Sequence, residues 1–300
     1  MLDEAYRHLL DARCDAVEHA MRQLVRRLGD HRRQVSPREW THWVQQVCLA
    51  HPLREIVHQD PFTARAFNKP RGYPGDAVLL DYIYAAGAAV GPHDAASEIH
   101  RYTTNAQAPR AVRYRRDLLA KRIDAVAEEF AHPRVLTIAA GHLREAELSV
   151  AVSAGRLDRF VAMDQDAESL ATIAEDYQRF GIETVCASVK ELLAGTVVFN
   201  DFHLVYAAGL FDYLPQPVAQ RLARKMIRML VPGGKILIAN FVPGIEDVGY
   251  MESFMAWHLI FRTDAELLAV FDAIPREEIG NIEVWRDPND NIAFAQACKV

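Results

Sequence analysis

The stretch Arg134-Val-Leu-Thr-Ile-Ala-Ala-Gly-His-Leu-Arg-Glu145 decides the fold of this chain. Its first half predicts a short buried strand, because residues 134–138 are mostly apolar and compatible with β structure. Gly141 then marks a point where the backbone turns sharply or approaches a ligand closely. Residues 142–155 carry apolar side chains at helical spacing and end on a glycine, so they predict a helix.

A second apolar strand follows at residues 159–163 and ends on Asp164. Asp164 lies 23 positions after Gly141, close to the spacing of roughly 20 that places a carboxylate on a ribose hydroxyl in nucleotide-binding βαβ units. We therefore expect the turn at Gly141, together with Asp164 and the adjacent Gln165, to bind an adenosine. The alternative is an ordinary βαβ unit with an incidental glycine and a surface aspartate.

The side chains of the turn indicate which cofactor fits. A dinucleotide site favours G-x-G-x-x-G, because a pyrophosphate needs bare backbone around it. Here Ala139, Ala140 and Leu143 occupy the positions around Gly141. A cofactor with an adenosine but no phosphates tolerates these side chains. The turn thus predicts S-adenosylmethionine, with its ribose at Asp164 and its amino-acid end near Gly141.

The composition narrows the class of protein. Half of the 300 residues are apolar, which predicts a sizeable core, and the net charge of −6 gives no basic surface for nucleic acid. No apolar run predicts a membrane span, and the acidic start Met1-Leu-Asp-Glu4 differs from a signal peptide. The four cysteines form no Cys-x-x-Cys pair and the histidines are scattered. We therefore expect a cytoplasmic protein with reduced thiols and no metal site.

Residues 1–131 read as a helical domain, with a first helix over residues 3–28 that ends at Gly29 and a second that starts at the capping box Ser36-Pro-Arg-Glu39. We assign this domain to substrate binding or to a lid, and its helices offer a surface for a homodimer. The arginine-rich helix over residues 110–131 reads as a solvated face, with an anionic-substrate role as the alternative.

The loop Asn68-Lys-Pro-Arg-Gly-Tyr-Pro-Gly-Asp76 is the most irregular part of this helical region. Two prolines and two glycines fix its backbone. It reads either as a structural turn or as a lid that places Arg71, Tyr73 and Asp76 over the cofactor. We assign these three residues to substrate binding.

Residues 132–300 continue the alternation of strands and helices. A third strand over residues 183–187 precedes Ser188 and Val189, which are candidate adenine contacts or, with Glu191, a plain helix cap. A fourth strand at residues 202–206 leads into Ala207, Ala208 and Gly209, which are small enough for a cofactor to approach. The residues that follow and that we expect near the reacting group are Phe211, Asp212 and Tyr213.

A fifth strand, residues 235–241, is followed by an aromatic-rich segment over residues 242–263 that contains Trp257, His258 and Arg262. This segment reads as a substrate pocket or as core. Two final strands, residues 279–285 and 291–297, predict an antiparallel hairpin. The predicted fold is therefore α/β: a Rossmann-like, doubly wound, mostly parallel sheet with a C-terminal antiparallel hairpin, plus an N-terminal helical domain.

Five βα units closed by a hairpin resemble the class I S-adenosylmethionine-dependent methyltransferases, over residues 133–300. The segment Pro232-Gly-Gly-Lys-Ile-Leu-Ile238 and the position of Asp164 are similar to theirs. The chain departs from the family in its glycine-poor turn and in Thr137, which stands where many members carry an acidic residue.

A narrower resemblance covers most of the chain. It rests on Arg71-Gly-Tyr-Pro-Gly-Asp76, Ile138-Ala-Ala-Gly141, Gly209-Leu-Phe-Asp-Tyr-Leu214 and Trp257-His-Leu-Ile-Phe-Arg262. These segments resemble bacterial proteins grouped with hydroxypalmitic acid methyl ester biosynthesis, which implies methylation of a small-molecule acid.

The acceptor determines whether a base is needed. A carboxylic acid in water has a pKa of about 4 and is already ionised at neutral pH, so its methylation needs mainly proximity. Arg71 and Arg262 are candidate clamps for such a carboxylate. A hydroxyl or amine acceptor would need a base, for which His258 and Asp212 are candidates. Tyr73 and Tyr213 are candidates for orienting the acceptor or for contacting the cofactor.

Two other functions compete with a methyltransferase. A nicotinamide-dependent oxidoreductase is disfavoured by the missing glycines and by the terminal hairpin. A non-catalytic module that binds a ligand or partner through the N-terminal helices is the third reading.

Overall fold

A computed structural model of the chain describes residues 1–10, 14–86 and 94–300. The chain divides into two compact units. The first, the helical unit, comprises Met1–Arg113 with Gly244–His258. The second, the sheet unit, comprises Tyr114–Pro243 with Leu259–Val300.

The first unit is helical. Its helices are α1 (Leu2–Leu10), α2 (Cys14–Gln34), α3 (Pro37–Trp43), α4 (Leu53–Val57), α5 (Pro61–Asn68), α6 (Ala77–Tyr84) and α7 (Ala95–Asn105). The capping box of Ser36 and Glu39 at the start of α3 is confirmed. A π-helical turn, Val44–Cys48, continues α3. The long helix α8 (Gln107–Glu129) contains the boundary between the units.

The division differs from the boundary expected after residue 131. The second half of α8 clusters with the sheet unit, in which the Asp124 carboxylate accepts hydrogen bonds from the Ser149 hydroxyl at 2.6 Å and the Ala151 N–H at 2.8 Å. Residues 244–258 cluster instead with the helical unit. A continuous helix carries no composition change at the point where its packing partners change, so no sequence pattern marks this boundary.

The predicted end of the first helix at Gly29 is wrong, because α2 runs on to Gln34. Gly29 instead lies where helix α13 (Val248–Phe254) of the same unit approaches α2. A Cβ atom added to Gly249 would lie 2.6 Å from the Gly29 nitrogen and 2.6 Å from the Leu28 carbonyl carbon. The glycines thus permit close packing of two helix backbones rather than ending a helix.

The second unit contains a seven-stranded sheet. Its strands are β1 (Arg134–Ile138), β2 (Arg159–Asp164), β3 (Glu183–Cys186), β4 (Phe202–Ala207), β5 (Leu230–Phe241), β6 (Ile279–Arg286) and β7 (Ile292–Lys299). The strand order is β3-β2-β1-β4-β5-β7-β6. The pairs among β1 to β5 are parallel, and β7 runs antiparallel to both β5 and β6. The predicted Rossmann-like sheet with a C-terminal antiparallel hairpin is therefore confirmed.

The helices of the sheet unit lie between these strands in sequence. They are α9 (Val150–Ser153), α10 (Ala167–Asp176), α11 (Val189–Ala194), α12 (Gln216–Arg228) and α14 (Asp264–Leu268). The apolar side chains of β1, β2 and β4 are almost fully buried, as expected for parallel strands covered on both faces. Within the described residues, no helix combines the length and apolar character of a membrane span.

The helix predicted over residues 142–155 is largely absent. A 3₁₀ turn, Arg144–Glu147, and the four-residue helix α9 replace it. Ala139, Gly141 and Leu143 have φ angles of 60°, 57° and 54°, and a backbone that is left-handed at alternate positions cannot enter an α-helix at residue 142. A new helix starts only where the Ser149 side chain accepts a hydrogen bond from the Val152 N–H.

Candidate active site

The candidate site of the sheet unit lies at the carboxyl ends of its central strands. β1 lies between β2 and β4, so the strand order reverses at β1. In open α/β sheets, this topological switch point is where ligands bind. The loops that follow β1, β2 and β4 carry most of the cofactor residues predicted from the sequence.

Asp164 fastens the loop after β1 to the end of β2. Its Oδ2 accepts a hydrogen bond from the Gly141 N–H at 2.8 Å, and its Oδ1 accepts one from the Asp166 N–H at 2.9 Å. Asp164 is only 6% exposed. Burial raises the pKa of its carboxyl, and the two backbone N–H groups oppose that rise. Each carboxylate oxygen keeps a second lone pair, so the group can still accept a hydrogen bond from a ribose hydroxyl.

The loop after β1 stores backbone strain. Ala139 and Leu143 adopt the left-handed conformation without being glycine, which costs about 1–3 kcal/mol for each residue. Strain of this kind persists where surrounding contacts enforce it and is concentrated at ligand-binding loops. Here the Ala140 N–H donates to the Met163 carbonyl at 3.1 Å, which adds to the Gly141–Asp164 bond. Ala139, Ala140 and Gly141 remain half-buried, so their backbone and small side chains are accessible to a ligand.

The predicted adenine contacts, Ser188 and Val189, differ in whether their side chains are used by the fold. Ser188 forms a capping box with Glu191, and its hydroxyl lies 2.7 Å from the Glu191 carboxylate. Its side chain therefore caps α11, and we withdraw it as an adenine contact. Val189 is half-buried in the first turn of α11, and Gln165 is exposed after β2.

The loop after β4 combines small residues with a buried carboxyl. Ala207 is fully buried, whereas Ala208 and Gly209 are half-buried. Asp212 is 3% exposed, and its Oδ1 accepts a hydrogen bond from the Phe241 N–H at 2.7 Å. Burial raises the pKa of Asp212 to about 6, against the effect of the Phe241 N–H and of the charges on Arg115 and Arg262.

The neighbours of Asp212 in sequence differ in exposure. Phe211 is fully buried, so its ring belongs to the core rather than to a substrate surface. Tyr213 is 37% exposed and is the accessible aromatic ring of this turn.

Arg262, predicted to clamp a substrate carboxylate, is instead a structural clamp. Its Nε donates to the Gln216 side chain at 2.8 Å and its Nη2 to the Leu214 carbonyl at 2.5 Å. Its Nη1 donates to the Phe211 carbonyl at 2.7 Å and to the Asn240 side chain at 2.6 Å. With Arg262 only 2% exposed, these four acceptors engage four of the five guanidinium N–H donors. The residue ties the loop after β4 to the end of β5.

The other predicted site residues belong to the helical unit. Asp76 is a buried helix cap: it accepts hydrogen bonds from the Leu79 N–H at 2.8 Å and from the Arg65 guanidinium at 2.8 Å. With Asp76 only 1% exposed, this carboxylate serves α6 and Arg65, and we no longer assign it to the substrate. The remaining predicted site residues of the helical unit are Arg71 and Tyr73, which are half-buried, Trp257, which is buried, and His258, which is exposed.

Sequence reasoning missed two polar residues of the sheet unit, and it considered a third, Arg115, only as one of the arginines of the helix over residues 110–131. Glu145 and Tyr206 are buried, and the tyrosine hydroxyl donates to the Glu145 carboxylate at 2.8 Å. Burial raises the pKa of Glu145. Arg115 is 6% exposed and donates from Nη1 to the Ala208 carbonyl at 2.8 Å. A signal for Arg115 exists, because it lies at i+4 from Ala111 and at i−4 from Leu119, on the apolar stripe of α8.

Comparison with known proteins identifies the fold. No protein-family model matches the chain, and no curated protein matches it in sequence. A crystal structure of a possible exported protein from Bordetella parapertussis matches with 16% identity and a TM-score of 0.62, covering 96% of this chain and 97% of that chain. A candidate O-methyltransferase from Nostoc punctiforme matches with 17% identity and a TM-score of 0.50, covering 81% of this chain and 71% of that chain. Both likenesses show a shared fold.

Proposed function

We propose that this protein is an S-adenosylmethionine-dependent methyltransferase that acts on a small molecule. One observation carries the proposal. At the switch point of the sheet, a strained, glycine-poor loop with small side chains is held by its Gly141 N–H to the buried carboxylate of Asp164. The loop places small side chains beside a carboxylate that could meet a ribose, and it lacks the bare backbone that a pyrophosphate requires. The shared fold with a candidate O-methyltransferase agrees with this reading.

The proposed cofactor-binding residues are the buried carboxylate of Asp164 and residues around it that are at least partly exposed. Asp164 would accept hydrogen bonds from the ribose hydroxyls, and the backbone of Ala139 to Gly141 would face the amino-acid end. Val189 and Gln165 are the proposed residues beside the base. When bound, the cofactor supplies an electrophilic methyl group. The acceptor would bond to that carbon while the carbon–sulfur bond breaks and leaves its electron pair on sulfur.

We propose a carboxylic acid, of fatty or hydroxy acid type, as the acceptor. The resemblance to proteins grouped with hydroxypalmitic acid methyl ester biosynthesis supports this class. A carboxylate oxygen needs no base at neutral pH, so the protein would act by positioning the acceptor and excluding water. Tyr213 is the proposed orienting residue of the sheet unit. For the helical unit, a role in acceptor binding through Arg71, Tyr73 and Trp257 stays a prediction, as do a homodimer and a cytoplasmic location.

A hydroxyl or amine acceptor is the alternative within the same reaction class. It is favoured by the Asp212 carboxyl, whose pKa of about 6 suits a group that takes a proton near neutral pH. His258 is the second candidate base and is exposed.

The proposal is tested by turnover. The full chain is incubated with S-adenosylmethionine and a panel of medium-chain hydroxy acids, and S-adenosylhomocysteine is quantified alongside the methylated product. We expect stoichiometric formation of a methyl ester and S-adenosylhomocysteine with at least one acid and none with the matched amides. Cofactor binding without turnover on any acid, hydroxyl or amine would favour a non-catalytic module.

A further inference from the structure

Arg115 is a buried cation, and the fold uses few of its hydrogen-bond donors. It is 6% exposed, and within residues 1–10, 14–86 and 94–300 its hydrogen-bond acceptor is the Ala208 carbonyl alone, at 2.8 Å from Nη1. A guanidinium has five N–H donors. Arg262, by contrast, donates to four acceptors. Among the described residues, no atom of Arg115 belongs to the buried side-chain atoms that lack a hydrogen-bond partner, so its unused donors reach solvent and are available to a ligand.

The surroundings leave one side of this guanidinium open. A Cβ atom added to Gly209 would lie 3.6 Å from Nη2 and 3.7 Å from Nη1 of Arg115. Gly209 does not adopt the left-handed conformation, so its backbone does not require glycine. The absence of a side chain there keeps the guanidinium uncovered at the ligand-facing end of β4.

Two buried carboxyls lie within electrostatic reach of Arg115, yet neither is hydrogen-bonded to it. The charge of Arg115 opposes the rise in pKa that burial causes at both Asp212 and Glu145. Asp212 accepts from the Phe241 N–H, and Glu145 accepts from the Tyr206 hydroxyl. A purely structural role for Arg115 would consist of this through-space stabilisation, which a comparison of charged with uncharged ligands separates from ligand binding.

We propose that Arg115 anchors a carboxylate-binding subsite beside Gly209, at the end of β4. This inference rests on the proposed function. It assigns one carboxylate of a bound ligand as the partner of the unused Arg115 donors. A planar carboxylate matches the fork of a guanidinium and accepts two parallel hydrogen bonds from it. Two ligands could supply the group: the amino-acid end of the cofactor and an acidic acceptor. β4 lies next to β1, about 4.8 Å away, so the subsite follows the strand that neighbours the proposed cofactor loop.

The cofactor arm of the test compares two nucleosides. Calorimetry measures binding of S-adenosylhomocysteine, which has the carboxylate, and of 5′-methylthioadenosine, which lacks the amino-acid end. If the cofactor supplies the carboxylate, Arg115→Gln should weaken S-adenosylhomocysteine about 10- to 100-fold, the range expected for a charge-assisted hydrogen bond, and leave 5′-methylthioadenosine unchanged.

The acceptor arm compares hydroxy acids with their uncharged amides. If the acceptor supplies the carboxylate, Arg115→Gln should leave both nucleosides unchanged and weaken the acids about 10- to 100-fold, with no effect on the amides. Arg115→Lys should recover part of the affinity, because it keeps the charge but loses the fork.

Two further variants keep the test decisive. Gly209→Ala retains the cation and places a methyl group at ordinary contact distance from it, so it should fold and still weaken the same carboxylate ligand. Lys121→Gln removes an equal charge from an exposed position of α8 and should change nothing. Folded Arg115→Gln and Gly209→Ala proteins that bind every carboxylate ligand as tightly as the wild type would overturn the inference. Failure of the wild type to bind either nucleoside would instead overturn the proposed function, while the acid and amide pair would still decide on the subsite.

Discussion

Replacing Arg262 by methionine should destabilise the sheet unit severely. Methionine has a similar length but no donor, so four acceptors lose their partner: the side chains of Gln216 and Asn240 and the carbonyls of Phe211 and Leu214. A hydrogen bond to a charged group contributes about 1.5–3 kcal/mol, and a buried acceptor left without a donor costs about 1–3 kcal/mol.

The four losses are not additive, because the side chains of Gln216 and Asn240 can relax. We therefore expect the free energy of unfolding to fall by about 3–5 kcal/mol, as when one partner of a buried charged network is removed. The whole free energy of unfolding of a domain is about 5–15 kcal/mol, so the loss is large. Arg262→Lys should lose less, because an ammonium group can reach some of the same acceptors.

Urea unfolding followed by circular dichroism measures this difference. The matched control is Arg228→Gln, which breaks an exposed ion pair with Glu278 and should cost less than about 1 kcal/mol. If Arg262→Met were as stable as the control and instead weakened binding of hydroxy acids, Arg262 would be the substrate clamp that its sequence position suggested, and the structural assignment would be wrong.

Three further outcomes follow from the packing and the charges. Gly249→Ala should lower the free energy of unfolding, measured in urea, by about 1–3 kcal/mol, because its methyl group meets the backbone of α2 at 2.6 Å. The control is Gly280→Ala, whose nearest contact would be 3.6 Å. Equal stabilities of the two variants would argue against the close approach. Burial raises the pKa of Asp247 from 3.8 to about 6. The protonated carboxyl therefore stabilises the fold below about pH 3.8, and this contribution, about 3 kcal/mol at most, is lost as the pH rises through about 6. Asp247→Asn should lose less stability between pH 4 and 7 than the wild type, and parallel curves of stability against pH would exclude the shift. If Asp212 is a base, the turnover rate should decrease as the pH is lowered past about 6, and Asp212→Asn should abolish turnover. If the acceptor is a carboxylate, the turnover rate should stay constant down to about pH 5.

The sheet could be read from the sequence because its strands are apolar runs bounded by turn residues. Residues 134–138 and 159–164 were placed almost to the residue, since a strand buried on both faces shows in composition alone. The terminal hairpin was equally clear from its two strands and the Asp-Pro-Asn-Asp turn. What could not be read was the backbone after β1, where left-handed Ala139 and Leu143 prevent the predicted helix. Their conformation is imposed by hydrogen bonds to β2, which no local pattern records.

How the polar groups of the candidate site are used could not be predicted from the sequence. Arg262 and Asp76 are charged residues in distinctive segments, and both are buried and hydrogen-bonded to neighbours that are distant in sequence or lie in the next turn. Arg115 was placed in a solvated cluster, although its spacing put it on the apolar stripe of α8. A residue type indicates what chemistry is available, whereas only the three-dimensional contacts show which donors remain for a ligand.

Binding of S-adenosylhomocysteine to the wild type and to Asp164→Ala, measured by calorimetry beside NADH, tests the adenosine site most directly. Asp158→Ala, which removes an exposed carboxylate just before β2, serves as the charge-matched control. We expect the wild type and Asp158→Ala to bind S-adenosylhomocysteine alike, Asp164→Ala to bind it at least about 10-fold more weakly, and none of the three to bind NADH. Affinity for NADH without affinity for S-adenosylhomocysteine, or undiminished binding by Asp164→Ala, would mean that the switch point of this sheet does not hold the nucleoside proposed for it.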